Sequence, residues 1–186
     1  MFAMIAEGAA SDWSAVYLYT TLSASTAFAA VAFVAFSIAM MLARLVGDRI
    51  VVRIGSVQLV RNSALFAAIV FGVCGFLIGT PTSAVIGFAG LGVGLAGLTP
   101  QIYSVAGQLT ASGAGRRLSV IVGMGYTGFL VGPALIGFTS AVIGLRGALA
   151  IPILLVLLIA LAAGALRTPE DVPVSGRPQR PEQLRR

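Results

Sequence analysis

No histidine and no lysine occur in this 186-residue chain, cysteine occurs once, and acidic residues number six. Each scarcity removes a class of chemistry. Without histidine and with only Cys74, the usual zinc ligand sets and the Ser-His or Cys-His nucleophile pairs have no parts to be built from. A lone cysteine also gives no disulfide framework and no redox pair. Charged residues make up 10% of the chain, against about 25% in a typical soluble domain. Hydrophobic residues reach 58% and mean hydropathy is +1.00. No soluble domain has the polar surface to keep such a chain dispersed in water.

What is present is a set of long uncharged stretches, at 23–43, 63–79, 83–106, 118–144 and 147–166. A hydrocarbon core about 30 Å thick needs roughly 20 helical residues at about 1.5 Å each. The expected fold class is therefore all-α: a polytopic membrane protein with five full transmembrane helices and one short N-terminal helix. Residues 1–166 form the membrane-embedded unit. The tail, 167–186, holds four of the eight prolines and charges of both signs, so it is expected to be disordered.

All twelve basic residues are arginines, and eleven fall on one side of the alternating spans. Arg44, Arg49, Arg53 and Arg61 lie between the first two stretches, Arg116 and Arg117 between the third and fourth, and five more follow the last. Only Arg146 falls opposite. The positive-inside rule then puts the C-terminus in the cytoplasm. A pI near 10.7 does not imply nucleic acid, because the arginines are scattered among membrane loops instead of forming one basic face.

The N-terminal stretch, 1–18, is interrupted by Glu7 and Asp12 and has no basic n-region, so it does not read as a signal peptide. Phe2, Ile5, Val16 and Leu18 each gain roughly 0.3–0.6 kcal/mol on insertion, whereas an acid at depth costs roughly 2.5–3.5 kcal/mol. This helix needs a bundle interior or a wet cavity to face. Trp13, Tyr17 and Tyr19 suit an outer interfacial belt. Glu7, about 18 Å deeper than Tyr19 at helical rise, then lies near midplane. It either faces a concave inner wall, on a stripe shared with Ser14, or reaches water near the start of the helix. Glu7 and Asp12 sit about 140° apart around a helix, so they do not converge as a catalytic pair; no enzyme, metal or cofactor is expected.

Four local patterns carry a family resemblance. Ala43-Arg44-Leu45-Val46-Gly47-Asp48-Arg49, followed by Arg53-Ile54-Gly55, is similar to the cytoplasmic Gly/Asp-Arg loop after the second helix of each half of major facilitator superfamily transporters. It departs from that pattern at Ala43, where glycine is common, and in its late glycine at 55. Gly128-Phe129-Leu130-Val131-Gly132-Pro133, with Gly137 following, resembles the family's Gly-x-x-x-Gly-Pro motif. Gly87, Gly90, Gly92, Gly94 and Gly97, ending in Thr99-Pro100-Gln101, form a glycine-rich helix. Glu7-Gly8 with Ser11-Asp12-Trp13-Ser14 looks like the seventh helix of a bacterial sugar-permease-like branch.

Together these resemble the C-terminal half, helices seven to twelve, of such a transporter over about residues 1–166. The resemblance implies transport of a small solute by alternating access in a bacterial inner membrane. It also implies a missing N-terminal six-helix half as partner, without which the chain, a truncated or split transporter, is inactive. Pathway candidates are Glu7, Asp12, Trp13, Tyr17, Gln101 and Tyr126. Tyr103 and Thr127 are further polar groups at depth, and helix-to-helix hydrogen bonding is an equal reading for all of these deep polar groups. Arg44, Gly47, Asp48, Arg49 and Arg53 form a gating loop in which Asp48 either latches arginines or serves topology alone. Gly90, Gly94, Gly128, Gly132 and Pro133 are assigned to helix packing, because lipid-embedded helices associate through small residues. Pro100, Pro133 and Pro152 are expected to kink their helices. A non-transporting membrane scaffold that pairs with another membrane protein is the alternative.

Overall fold

The computed structural model describes residues 1–101, 104 and 114–166, without the side chains of Asp48, residues 114–118 and residues 165–166. Tyr103, the Asp48 carboxylate, the Arg116 and Arg117 side chains and the tail beyond residue 166 lie outside the described residues.

Among the described residues every regular element is helical. Helix α1 spans Phe2–Thr20, and α2 spans Thr26–Ile54, opened by Ser25, whose Oγ accepts from the Phe28 amide. Helix α3, Ser56–Val70, runs on as π-helical turns over Phe71–Leu77. Helix α4, Pro81–Ala96, starts with a Thr80–Ser83 capping box and a proline at its first position, both of which satisfy or remove orphan amides. Helix α5 spans Ala114–Ala148, and α6, Ala150–Ala162, ends in a 3₁₀ turn over Ala163–Leu166.

Among the described residues four helical spans are long and apolar enough to cross a membrane: Thr26–Gly47, Ser56–Leu77, Pro81–Gln101 and Ser119–Ala148. The fifth expected span, 147–166, is helical on both sides of one turn residue, Leu149. A non-helical break at Gly144 (φ +76°) parts residues 145–148 from the rest of α5, and they lead through Leu149, whose N–H donates to the Leu145 carbonyl, into the 13 α-helical residues of α6 and its 3₁₀ turn. Helix α1 is as long as a span, at 19 residues, but it carries Glu7 and Asp12.

The stretch 43–54, expected as a loop, is a continuation of α2. Nothing in it stops a helix: it has no proline, and an internal glycine such as Gly47 costs only about 1 kcal/mol. The chain turns at Gly55, whose φ of +79° suits glycine alone. The prolines act according to position. Helix α4 ends at Ala96, the residue whose carbonyl faces the ring of Pro100 four residues on. Pro152 is the third residue of α6, just past the turn at Leu149 that interrupts the helix running on from residues 145–148, an interruption that fits a residue with no N–H to donate.

Helix α4 is the centre of the bundle: 61% of its span is buried, against 22% for α2 and 17% for α5. Its glycines make this possible. A Cβ on Gly92 would strike the Phe36 carbonyl of α2, whereas on Gly90 and Gly94 it would strike Val70 and Ala67 of α3. Around α4 lies an aromatic cluster, with Phe71 and Phe88 ring centroids 4.9 Å apart and Tyr17 edge-on to Phe88 at 6.4 Å. Large apolar side chains such as Phe138 and Leu161, about four-fifths exposed, point outward. Small residues inside and large apolar ones outside is the arrangement that lipid requires.

Candidate functional site

Helix α1 packs between α2 and α5 and also touches α4 and α6. Its seat on α5 is built around Pro133. A proline has no N–H, so the Phe129 carbonyl four residues earlier loses its helical donor. Gly8 lies against that carbonyl so closely that a Cβ there would collide with it, leaving a Cα–H contact to cover the oxygen. On α5, Gly132 lies in the same way against the Ile5 carbonyl. Further along, Trp13 Nε1 donates to the Pro133 carbonyl at 2.9 Å, and the indole lies over Gly137. Tyr17 donates its hydroxyl to the Gly75 carbonyl in the π segment at 3.1 Å. These contacts fix the rotation of α1 and so decide where its acids point.

Glu7 points into an open groove of about 410 Å³ between α1 and α2, with Phe129 of α5 closing one side. An Arg44 terminal nitrogen lies 3.5 Å from Glu7 Oε1; the glutamate side chain is 17% exposed and the arginine 45%. This is the only ion pair among the described residues. Ser11 and Ser37 add hydroxyls to the groove, with Ser11 Oγ donating to the Glu7 backbone carbonyl at 2.9 Å. The remaining walls are apolar, chiefly Phe33, Phe36, Met40 and Met41. A carboxylate this far buried needs a counter-charge, and Arg44 of α2 supplies it. The groove is thus close to neutral, polar at one spot and apolar elsewhere, which is the general chemistry of a small-molecule site.

The other candidates scatter. Asp12 is exposed, away from Glu7. Ser14, expected on the Glu7 stripe, is fully buried, and its Oγ has no hydrogen-bond partner among the described residues. Tyr17 is fully buried instead of lying in an interfacial belt, whereas Tyr19 is 56% exposed and Trp13 half-buried. Gln101 is buried at the arginine-rich end, where it accepts from Ser56 Oγ at 3.0 Å and so ties α4 to the start of α3. Tyr126 is 65% exposed on α5, and Thr127 donates to the Gly123 carbonyl of its own helix. Arg49 and Arg53 are exposed, and Gly47 has open space around its Cα.

Two arginines carry roles that the sequence reading missed. Arg44 was grouped with a loop, yet residue counting holds the signal. It lies 18 residues past Thr26, and Glu7 lies 13 before Thr20, a depth difference of about 8 Å that an extended arginine spans. Arg146, the cation on the opposite side, follows a break at Gly144 (φ +76°). It donates to the Phe76 carbonyl at 2.7 and 3.1 Å and to the Leu77 carbonyl at 3.1 Å. Its charge therefore sits on the carbonyl end of the α3 π segment, where the helix dipole favours a cation.

Comparison with known proteins places this architecture. The chain is 36% identical over 162 residues to an uncharacterized MFS-type transporter of Yersinia pestis, covering 87% of this chain and 42% of that protein. It is 34% identical over 148 residues to the membrane protein MosC of Rhizobium meliloti, covering 78% and 36%. It is 33% identical over 164 residues to an uncharacterized transporter of Sinorhizobium fredii, covering 88% and 43%. The chain therefore spans about two-fifths of the length of the curated relatives it matches. No solved structure matches it. The Major Facilitator Superfamily matches over residues 1–186, and with these helices and relatives the chain belongs to that family of multi-pass membrane transporters.

Proposed function

We propose that this chain is the C-terminal six-helix half of a secondary transporter, and that the Glu7–Arg44 groove is its share of the solute pathway. The single observation that carries the reading is that ion pair: two opposite charges held 3.5 Å apart in an otherwise apolar groove, open on one side. Ionisable residues at membrane depth mark substrate or proton pathways far more often than inert packing. The coverage of the relatives, about two-fifths of each, supports a half. So do α2 and α5, whose spans are only 22% and 17% buried and leave long faces free for a second bundle.

In this reading the solute lies between two halves that rock against each other, and a solute group that engages Arg44 releases Glu7 to carry a proton. The arginine-rich end faces the cytoplasm of a bacterial cell, and the protein sits in the inner membrane. Alone, the chain has one wall of a cavity and no second gate, so it transports nothing.

The test is to recover the upstream coding sequence, co-express the six helices it encodes with this chain, and assay solute-driven proton movement in vesicles against a panel of sugars and organic ions. Co-purification and solute-dependent proton uptake, lost in Glu7→Gln, is the expected result. If the halves co-purify and move solute, but rate and pH dependence are unchanged in Glu7→Gln, the pair is not on the pathway. Failure of the halves to associate overturns the half-transporter reading itself.

A further inference from the structure

The two partners of the Glu7–Arg44 pair are unequally covered. Glu7 is 17% exposed and Arg44 45%, so a solute entering the groove meets the guanidinium first. A guanidinium carries five N–H donors in a planar fork, and one terminal nitrogen of Arg44 is turned to Glu7. Among the described residues Glu7 is its only partner, which leaves donors free for a second carboxylate. Glu7, more deeply set and already paired, is poorly placed to take a solute cation.

On α2, Phe33, Ser37, Met40, Met41 and Arg44 follow at three- and four-residue spacing, so one face of that helix lines the groove. Phe36 and Met40 are buried in its floor, while Phe33 and Met41 are exposed at its edge. Phe129 of α5 adds a third ring. Three rings and two thioethers suit a flat apolar body. Ser11 lies one turn and Ser37 two turns from the ion pair, about 6 Å and about 10 Å, and in the same direction because α1 and α2 run antiparallel. Ser11 gives its proton to the Glu7 backbone carbonyl. The Ser37 hydroxyl has no partner among the described residues, so it is free to meet a solute oxygen. A polyol matches poorly: the described lining has no amide, no indole and only these two hydroxyls, too few partners for a body covered in hydroxyl groups.

We infer, resting on the reading of this groove as the solute pathway, that it takes an aromatic monocarboxylate together with one proton. The carboxylate lies on Arg44, the ring among Phe33, Phe36 and Phe129, and a distal oxygen at Ser37. Charge balance requires the proton. Glu7 and Arg44 sum to zero, and a second carboxylate would leave one net negative charge in an apolar groove, which is costly. One proton taken up by the Glu7 carboxylate restores zero, so Arg44 passes from Glu7 to the solute and the loaded groove is neutral. Glu7 and Arg44 are the only charged side chains among the described lining residues. Helices α4 and α6, which also touch α1, carry no titratable side chain. Asp12 is exposed away from the groove, and the Met1 amino group lies nearly two turns back along α1, about 9 Å.

The test is a ligand-observed NMR titration of the full chain in phosphatidylcholine nanodiscs, with protein-free nanodiscs subtracted. The probes are 4-hydroxybenzoate, its neutral amide 4-hydroxybenzamide, the cation 4-hydroxybenzylamine, and glucose. 4-Hydroxybenzoate should bind saturably, more tightly at about pH 6 than at about pH 8, and the other three should not compete. Glu7→Gln, which removes the rival carboxylate, should tighten binding about tenfold at the higher pH and abolish its pH dependence. Arg44→Gln should weaken binding about tenfold or more. Ser37→Ala should weaken 4-hydroxybenzoate and leave benzoate unchanged. A pair that only packs helices predicts neither the gain in Glu7→Gln nor that split between the two acids. Weaker acid binding in Glu7→Gln, or saturable binding of the amine or of glucose in place of the acid, overturns the proposal. So does a lack of saturable acid binding to this chain and, where the halves co-purify, to the pair. Halves that associate and move a sugar or an amine but no acid leave the half-transporter reading standing and sink this one. Halves that fail to associate sink that reading, while binding to this chain still decides the ligand.

Discussion

Between Glu7 and Arg44 the energetics are asymmetric. Removing both partners loses one attraction and recovers two desolvation penalties, whereas removing only the arginine strands a mostly buried carboxylate. Arg44 is 45% exposed and Glu7 17%, so solvent screens part of the attraction and the penalty falls below that of a fully buried pair. Arg44→Leu should therefore destabilise the detergent-solubilised chain by about 1–2 kcal/mol, and the double variant Glu7→Gln/Arg44→Leu should recover most of that loss. Thermal melts of the four proteins of this cycle decide it, and a double variant no more stable than Arg44→Leu would show that the pair does not act as a unit. The same scale shows what residue counting can reach. Glu7 lines an open groove beside α2, a setting that the cost of a lipid-facing acid favours. Its partner was not legible from that cost, because side-chain reach along a helix is a property of two helices in register. Ser14 and Tyr17 were misplaced for a related reason: a stripe on a helical wheel says nothing about which neighbour covers it.

At the scale of the element, composition marked the helices well and their ends less well. Uncharged stretches located α2 to α5 because a bilayer imposes length, while Gly55 and Gly144, each with a positive φ, set boundaries that hydropathy does not register. The arginines at 44–53 resembled a loop in sequence; they stand on the last turns of α2, where Arg44 turns to Glu7 while Arg49 and Arg53 are exposed. The Gly-x-x-x-Gly-Pro stretch of α5 shows motif and structure working together. Pro133 frees a carbonyl, Gly8 covers it, and Gly132 lets the two backbones close. Gly132→Leu should therefore separate α1 from α5, since even its Cβ would collide with the Ile5 carbonyl. Overpacking of this kind usually costs about 1–3 kcal/mol, and the upper end is expected because the obstacle is backbone. A lower melting temperature with faster hydrogen exchange across α1, and no change in α3, is the expected outcome. An unchanged α1 would mean that the helix is held from elsewhere.

For the whole molecule, the distribution of charge along the sequence predicts orientation: alternating spans would put eleven of the twelve arginines on one side, and membrane proteins keep such ends in the cytoplasm. A Cys74→Ser, Ser175→Cys variant should resist membrane-impermeant maleimide in intact cells and label only after lysis; efficient labelling before lysis would reverse the orientation. The sequence by itself determined that this is a multi-pass helical membrane protein and roughly where its helices run, because hydropathy, helix length and charge asymmetry are local quantities that the bilayer reads directly. It also marked the small residues on which packing depends. Only the tertiary structure decided which glycine meets which carbonyl, that α4 is the hub, that Arg146 closes the end of α3, and that Arg44 belongs to Glu7. Those are pairings between helices far apart in the chain, and in a bilayer, where apolar faces are alike on every side, close packing and hydrogen bonding select the neighbours while hydrophobicity does not.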